Sequence, residues 1–586
     1  MPAATRNRPT KSRSTLLSDW ESWSAHLLER QAPGPPWQHL WGKRWPLNWA
    51  LDQSGVATET RQLLTLLERW SARANPPVSA QQAKRWQVWR EQAAERNGAG
   101  GFGLECLAWA YLLPRMAGGL AAETWFDAYD FLHQLARTAT RRDVHREPLA
   151  HQWLASELPL TLAYQFPERE ESKPLAQVAR QALAEGFDAL LDLNGLPAAE
   201  HLDCVHPLLA CWTRTATLAQ AGEITVFSRE GRARFVEFIR CAVQLTRESG
   251  VPCFGGEGCG PDDRSVFDAA LEFAGEDQRL IAEQILPKRR GVADKSEKEV
   301  AARLLPSPAV NSEWGRVAIL RTDWMRGSPQ WVLAHRAGQM RCELLLGGRP
   351  LCTGPWDQEI LLDGRRLKPP TGWVEVCWHS DDDLDYQEFQ ADLEGGWILQ
   401  RQVLLAREDR FLLLADALLG KAGARIEYRS CLPLAPGVRF RSTKETWEGQ
   451  LVGRQGTGLV LPLALPEWRT APQAGSLHTE RGQLVVTQAA DGPRMYIPLF
   501  IDLNSERPKR KRTWRRLTVA EKLEIQPDAV ATAYRVQVSE EQWLFYRSLA
   551  PAGNRTVLGQ NLHNEFLAAR FDHDGEIEEL IRIDAD

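Results

Sequence analysis

The spacing of apolar residues changes between the two halves of this 586-residue chain. In the first half they recur at helical spacing, as in residues 63–70, 125–136 and 235–245. Further along they alternate with polar residues, as in residues 426–432 and 534–538. A run of helices followed by a run of strands predicts a helical domain followed by an antiparallel sheet domain.

A charged passage with several prolines, residues 287–308, separates the two patterns. It contains Lys288, Arg289 and Arg290 and has no regular apolar spacing. Such a composition is typical of a linker. We therefore predict a helical domain over residues 1–305 and an antiparallel β-sandwich over residues 306–586, each long enough to bury its own core.

Charge and composition exclude several classes of protein. The net charge of -5 argues against a general nucleic-acid binder. No stretch reaches the roughly 18 uninterrupted apolar residues of a membrane span. Residues 1–14 are basic but lack the apolar core of about 7 to 15 residues of a secretory signal. A cytoplasmic location is expected, with export by another route or a misassigned start as alternatives.

The ten cysteines lack regular spacing, which predicts reduced, buried thiols.

Motifs in the second half resemble those of a known family. Residues 343–351 end in Gly-Arg-Pro-Leu, residues 401–404 read Arg-Gln-Val-Leu, and Asp416 follows. This order is similar to the opening of the β-sandwich in the heparinase II/III-like family of polysaccharide lyases. The resemblance implies an α+β multidomain fold with an N-terminal (α/α) toroid and a C-terminal antiparallel β-sandwich. It also implies β-elimination on a uronate-containing polysaccharide or oligosaccharide.

A β-eliminating lyase needs three groups. One neutralises the uronate carboxylate, a base takes the neighbouring proton, and an acid protonates the leaving oxygen. By the resemblance, residues 146–157 and 194–206 and the strand near residue 335 hold the candidates. The predicted catalytic residues are His151, His206 and His335, and the predicted substrate-binding residues are Arg146, Gln152, Glu157 and His201.

Each histidine also has a structural interpretation. His151 and His206 would otherwise be helix histidines with satisfied hydrogen bonds. His335 would otherwise lie at an exposed strand end. Glu200 and Asp203 lie close to His201 in the sequence, but residues two apart on a helix do not share a face.

The sequence departs from the family at two catalytic positions. Val205 stands where the resemblance places a tyrosine, and the family's His-Gly-His-x-Asp segment is absent. Tyr111, Tyr129 and Tyr164 lie in apolar stripes of the helical half and are predicted core residues. The alternative to a lyase is a catalytically inactive relative that binds carbohydrate or a protein partner in the same cleft.

No cofactor is predicted, although two segments carry side chains that bind metals. Residues 377–386 combine Cys377, His379 and four aspartates, for which an acidic hairpin turn is favoured over a divalent-ion site. Cys253 and Cys259 lack the second pair of ligands that a structural zinc site needs. The expected partner is an acidic polysaccharide or oligosaccharide, and the oligomeric state stays open.

The basic run in residues 507–516 has two interpretations. A solvated loop that leads into a strand is favoured, because such runs are usually exposed. A polyanion contact, with Trp514 stacking on a sugar ring, is the functional alternative.

Overall fold

A computed structural model describes residues 11–30, 50, 56–71, 80–97, 100–255, 264–288, 305–469, 475–551, 553–571 and 576–584. The chain divides into two compact units, Met1–Thr246 with Gly250–Val292, and Arg247–Ser249 with Ala293–Asp586. The division after Val292 falls within residues 289–304. Most of the predicted linker therefore lies outside the described residues, and the predicted domain boundary near residue 305 stays a prediction.

The first unit is helical. In the described residues its α-helices are α1 (Arg13–Ser18), α2 (Trp20–Arg30), α3 (Thr58–Ser71), α4 (Ala80–Arg96), α5 (Phe102–Met116), α6 (Ala122–Thr138), α7 (Pro148–His151), α8 (Leu158–Gln165), α9 (Leu175–Leu190), α10 (Val205–Ala221), α11 (Arg229–Gln244), α12 (Ser265–Ala270) and α13 (Glu276–Ile285). Short 3₁₀ turns cover Ala139–Arg141, Glu170–Ser172, Ala199–Cys204 and Leu271–Phe273.

Helix α9 shows why these segments are helical. Its buried residues recur every three or four positions: Leu175, Ala179, Ala182, Leu183, Gly186, Phe187 and Leu190. That spacing places them on one face, which packs into the core of the unit. The opposite face is polar and carries the exposed Glu185 and Asp188.

Helices α7 and α8 are joined by a π-helical turn, Gln152–Glu157. Pro159 follows in the first turn of α8. Proline lacks an N–H, and its ring would clash with the carbonyl of Ala155 in a regular α-helix. The wider π turn relieves that crowding, and such turns are frequent at functional sites. All six of its residues are buried, including the polar Gln152 and Glu157.

The second unit is built from strands. In the described residues they are β1 (Val310–Ser312), β2 (Val317–Arg321), β3 (Gln330–Arg336), β4 (Gln339–Leu346), β5 (Arg349–Pro355), β6 (Asp357–Leu362), β7 (Arg365–Arg366), β8 (Val374–Ser380), β9 (Leu384–Leu393), β10 (Trp397–Ala406), β11 (Phe411–Pro433), β12 (Arg439–Ser442), β13 (Gly449–Val452), β14 (Thr457–Pro462), β15 (Gly475–Glu480), β16 (Gln483–Asp502), β17 (Arg512–Leu517), β18 (Ala520–Glu521), β19 (Glu524–Ile525), β20 (Ala531–Val538), β21 (Glu541–Ser548), β22 (Arg555–Val557), β23 (Gln560–Leu562), β24 (Phe566–Phe571) and β25 (Ile577–Ile583).

These described strands form four antiparallel sheets. The first sheet has the order β1-β2-β3-β4-β5. The second has 11 strands: the path β12-β13-β14-β16-β11-β10-β9-β8, with β6 beside β11, β7 beside β6 and β15 beside β16. The third has the order β17-β20-β21-β24-β25, and the fourth the order β19-β18-β22-β23. The predicted antiparallel architecture is confirmed, with more layers than a two-sheet sandwich.

Apolar cores lie between successive sheets. Neighbouring residues of one strand serve two cores, because side chains of a strand point to alternate faces. On β10, Leu405 joins the core shared with the first sheet and Leu404 the core shared with the third. On β21, Phe545 packs toward the second sheet and Leu544 toward the fourth.

Paired charges are buried within this stack. Arg401 on β10 donates to the Asp416 carboxylate on β11 from Nε at 2.7 Å and from Nη2 at 3.1 Å. The hydroxyl of Tyr428 donates to the same carboxylate. Arg547 on β21 donates to Glu388 on β9 at 2.7 Å. Since an unpaired buried charge is costly, these pairs fix which strands face one another.

The structure also decides the interpretation of the basic run. Trp514 is buried and donates its indole N–H to the Leu465 carbonyl at 2.8 Å, so stacking of this ring on a sugar is wrong. Arg507 is buried, its guanidinium carbon lies 5.1 Å from the Trp543 ring centroid, and it pairs with Asp502. Part of the run is therefore held by internal contacts and is not a freely solvated loop.

Two further predictions concern the cysteines and the membrane. The cysteines in the described residues are free thiols and most are buried, as predicted. Cys377 lies on β8 of the β8–β9 hairpin, whose turn carries the predicted acidic residues, and Cys259 lies outside the described residues. In the described part of the chain, no helix has the length and apolarity needed to cross a membrane.

Removing Arg401 tests the buried pairs. In Arg401→Met the Asp416 carboxylate stays buried without its cation, so we expect the free energy of unfolding to fall by about 3–5 kcal/mol. The matched control is Arg425→Met, since Arg425 makes a 3.4 Å pair with Asp491 at the surface and should contribute less than about 1 kcal/mol. Urea unfolding followed by tryptophan fluorescence measures both. Equal losses in the two variants would contradict the argument.

Candidate functional site

A cleft of about 620 Å³ opens on the helical unit. One wall is the segment that follows the 3₁₀ turn Ala139–Arg141, and the other is the C-terminal half of α9. The lining residues are Arg142, Asp143, Val144, His145, Glu185, Asp188 and Ala189. The cleft thus contains an imidazole, a guanidinium and three carboxylates, which are groups that bind polar ligands and transfer protons.

The first wall is held by local hydrogen bonds. The Asp143 carboxylate accepts the backbone N–H of His145 at 2.9 Å and that of Arg146 at 3.2 Å. Arg142 pairs with Glu147 and donates to the Asn97 carbonyl at 3.0 Å. These contacts fix the backbone that carries His145, whose side chain is exposed.

Glu185 connects the second wall to His151. The Glu185 carboxylate lies 3.5 Å from Nε2 of His151, which is completely buried. Burial lowers the pKa of His151, and the nearby Glu185 opposes this effect only in part. The imidazole is therefore neutral at neutral pH, and it reaches the cleft through Glu185.

Gln152 determines which His151 nitrogen carries the proton. Trp212 donates its indole N–H to Oε1 of Gln152 at 2.9 Å, so the amide nitrogen faces the other way. That nitrogen donates to the Ala182 carbonyl at 2.9 Å and to Nδ1 of His151 at 3.0 Å. Because Nδ1 must accept, the proton of the neutral imidazole lies on Nε2, directed at Glu185.

Close packing fixes Gln152 in this position. A Cβ at Gly186 of α9 would come within 2.3 Å of the Gln152 amide nitrogen, so a larger residue there would displace the Gln152 amide. The substrate-binding role predicted for Gln152 is not supported by this placement, because its side chain is buried and engaged with protein groups. It acts instead on the orientation of His151.

Glu157 is buried in the core, where protein groups occupy its carboxylate. Arg214 of α10 donates to the Glu157 carboxylate from Nε at 2.7 Å and from Nη2 at 2.9 Å. Tyr111 of α5 donates its hydroxyl to the same group at 2.5 Å, and burial, followed by the charge of Glu157, raises the pKa of Tyr111. Such a carboxylate is costly to leave unpaired, so these partners hold it in the interior, and it does not line the cleft.

His206 is also internal. It is 7% exposed, and its Nε2 lies 2.8 Å from the hydroxyl of Thr246, which itself donates to the Ala242 carbonyl. The Thr246 oxygen must therefore accept from His206, which places the imidazole proton on Nε2. Burial lowers the pKa of His206 from its ordinary value of 6.5 to about 4.

The exposed strand end considered for His335 is wrong. His335 lies on β3 of the second unit, is 7% exposed, and packs edge-on against Phe389 with ring centroids 5.1 Å apart. Burial lowers its pKa to about 4, and the positive charge of Arg316 adds to the effect. The catalytic roles given to His206 and His335 stay predictions that these buried positions do not support.

Two predicted residues lie close to the cleft. Arg146 is exposed beside the first wall, and its Nε lies 3.5 Å from the Asp143 carboxylate. His201 is buried in the 3₁₀ turn Ala199–Cys204, with Nε2 at 3.4 Å from the Glu200 carboxylate. Ligand atoms of His145, Glu200 and His201 all lie within 4.8 Å of one another.

The structure therefore brings together only part of the predicted set. Arg146, His151 and His201 lie beside residues that line the cleft, whereas Gln152, Glu157 and His206 lie in the interior of the helical unit. The residues missed from the sequence are His145 and Glu185. The exposed face of the amphipathic α9 is the signal that could have indicated Glu185. His145 lies six positions before His151 and belongs to no motif.

His206 predicts a pH dependence of stability. Between pH 6.5 and about 4 the unfolded chain binds a proton at this imidazole and the folded chain does not. His206 therefore lowers the free energy of unfolding as pH falls through this window, by roughly 3 kcal/mol for a shift of this size, and the buried His335 adds to the fall in the same window. His206→Gln keeps an N–H donor without titrating and should reduce the slope. Urea unfolding at several pH values measures it, and an unchanged slope in the variant would contradict the assignment.

Comparison with known proteins supports the fold. The sequence matches no protein-family profile and no curated protein. A heparinase III structure matches with a TM-score of 0.58 at 10% identity, covering 93% of each chain. A second heparinase III structure gives 0.56 at 11% identity, covering 94% of this chain and 93% of that one. The heparan sulfate lyase HepC from Pedobacter heparinus gives 0.50 at 13% identity, covering 94% and 91%. The chain thus has the α/α toroid plus β-sandwich fold of heparinase III, as its sequence motifs predicted.

Proposed function

We propose that this protein is a polysaccharide lyase that cleaves a uronate-containing polysaccharide or oligosaccharide in the cleft of its helical unit. The observation that carries the proposal is the Glu185–His151 pair, in which a half-exposed carboxylate at the cleft wall contacts a fully buried imidazole of defined tautomer. The solved structures with the same fold, described as heparinase III and heparan sulfate lyase, support this class of reaction.

Glu185 acts as the base in this proposal. Its carboxylate takes the proton from C5 of the uronate, the C–H electron pair forms the C4=C5 double bond, and the C4–O bond breaks. The leaving oxygen takes a proton from water in the open cleft. His151 is a positioning residue, because its Nε2–H faces the Glu185 carboxylate and orients it.

Arg146 meets the acidic group of the sugar. Its guanidinium side chain is 86% exposed, at the end of the segment that forms the first wall. Arginine binds carboxylate and sulfate through paired N–H donors. The nearby Asp143 carboxylate offsets part of its charge, so Arg146 alone is a weak counter-ion for a uronate.

A second candidate function is saccharide binding without elimination. Two observations favour it. The Glu157 carboxylate is engaged by Arg214 and Tyr111, so it is not free to take a proton. Val205, which cannot transfer a proton, stands where the family resemblance places a tyrosine. Such a protein would use the same cleft and the same Arg146, without proton transfer.

An elimination assay separates the two functions. The protein is incubated with heparan, chondroitin, hyaluronan and alginate, and the ultraviolet absorbance of the conjugated uronate double bond is followed. We expect absorbance to grow with at least one substrate, and Glu185→Gln to lower the rate by roughly 10²–10⁴-fold, the usual contribution of a general base.

Glu237→Gln is the matched control for that assay. Glu237 is a partly exposed glutamate on α11 that pairs with Arg240 at 2.9 Å and does not line the cleft. The lyase activity of the Glu237→Gln variant should equal that of the wild type. Saturable binding of a saccharide with no double-bond signal would overturn the lyase proposal and favour binding alone, and full activity in Glu185→Gln would remove Glu185 as the base.

A further inference from the structure

Three side chains with metal-binding chemistry converge beside the cleft, and the proton transfer proposed above does not use them. They are His145 and Glu200, which are exposed, and His201, which is buried. Their ligand atoms lie within 4.8 Å of one another. His145 comes from the cleft wall, and the other two come from the 3₁₀ turn Ala199–Cys204, so two separate parts of the chain meet here.

The donor set fits zinc better than the hard cations. Two imidazoles and one carboxylate form a common zinc set, whereas magnesium and calcium prefer oxygen ligands alone. Three protein ligands are characteristic of zinc sites that keep the fourth position open for water or substrate.

The spacing of Glu200 and His201 agrees with this assignment. Nε2 of His201 and Oε1 of Glu200 are 3.4 Å apart. Ligands bound tetrahedrally at about 2.0–2.1 Å from zinc are separated by about 3.4 Å. A charge-assisted hydrogen bond would instead hold these atoms at about 2.7–2.9 Å.

Backbone contacts hold two of the ligands in place. The backbone N–H of His201 donates to the Ala198 carbonyl at 2.8 Å, and the His201 side chain is only 4% exposed. The N–H of His145 donates to the Asp143 carboxylate at 2.9 Å. Closing the triangle from 4.8 Å to tetrahedral spacing requires shifts of about 1 Å, which the exposed side chains of His145 and Glu200 can make.

The negative charge of the cleft residues would repel an acidic saccharide unless a cation were bound there. Asp143, Glu185 and Asp188 line the cleft, and the only arginine among the lining residues, Arg142, is already paired with Glu147. An acidic saccharide would meet net negative charge there. A dication bound at the edge formed by His145 would supply the missing positive charge.

We propose that His145, Glu200 and His201 bind a zinc-type divalent cation whose open position faces the cleft. We further infer that this position accepts a carboxylate oxygen of the saccharide, a step that rests on the proposed function. Metal binding itself does not depend on the reaction. Coordination to the cation would favour loss of the neighbouring C5 proton by stabilising the negative charge that develops on the carboxylate.

Cobalt binding tests the site without any substrate. The full chain is stripped with a chelator, Co²⁺ is added, and the visible bands of four-coordinate Co²⁺ are recorded. We expect saturation at one ion per chain and displacement by Zn²⁺, which binds such sites more tightly than Co²⁺. His145→Ala should weaken binding by at least about tenfold, since it removes a direct ligand. Because His145 is exposed, the variant should fold, which circular dichroism checks.

His478→Ala is the matched control for the metal experiment. His478 lies 4.0 Å from the Glu480 carboxylate, and among the described residues no third metal ligand lies beside these two. Its cobalt spectrum should equal that of the wild type. Absence of four-coordinate bands in the wild type, or an unchanged affinity in His145→Ala, would overturn the site.

The saccharide step has a separate readout. Binding of a uronate oligosaccharide is measured by calorimetry with stripped and with Zn²⁺-loaded Glu185→Gln protein, in which turnover is slowed. We expect loading to tighten binding at least about tenfold, within the range of coupling between two ligands. Metal binding with unchanged saccharide affinity would overturn the carboxylate contact alone. Double-bond formation by the stripped protein at the full rate would show that the lyase works without the ion.

Discussion

Burial of one polar segment determines how the helices of the first unit are arranged. The π turn Gln152–Glu157 lies in the core, where an amide or carboxylate without hydrogen bonds costs several kcal/mol. Arg214 and Trp212 of α10 and Tyr111 of α5 supply the partners. These helices must therefore meet at the π turn.

The same requirement shapes the candidate site. The Gln152 amide has one orientation, because its oxygen accepts from Trp212 and its nitrogen donates to the Ala182 carbonyl. That orientation determines which nitrogen of His151 carries the proton. His151 then faces Glu185 on the polar side of α9. Hydrogen bonds thus run from the interior of the unit to His151, and a 3.5 Å contact joins its Nε2 to the Glu185 carboxylate at the wall of the cleft. Gln152 and His151, which the sequence presents as substrate-binding and catalytic candidates, are the buried members of this series of contacts.

The fold could be predicted from the sequence because periodicity and motif order are local signals. The alternation in residues 426–432 belongs to β11, and the stripe in residues 125–136 belongs to α6. The site could be predicted only in part. The sequence indicates His151 but not its contact with Glu185, because that contact joins residues 34 positions apart through packing. His206 and His335 carry the same side chain as His145, and only tertiary burial distinguishes them.

The proposed reaction and the proposed metal site both require an acidic saccharide to bind in the cleft between residues 142–145 and 185–189. Hydrogen–deuterium exchange with and without a saturating uronate oligosaccharide tests this most directly, because it maps binding whether or not cleavage follows. If the saccharide binds there, peptides that cover residues 142–147 and 183–190 should exchange more slowly. Slower exchange confined to peptides of the strand unit, with these two segments unchanged, would contradict it.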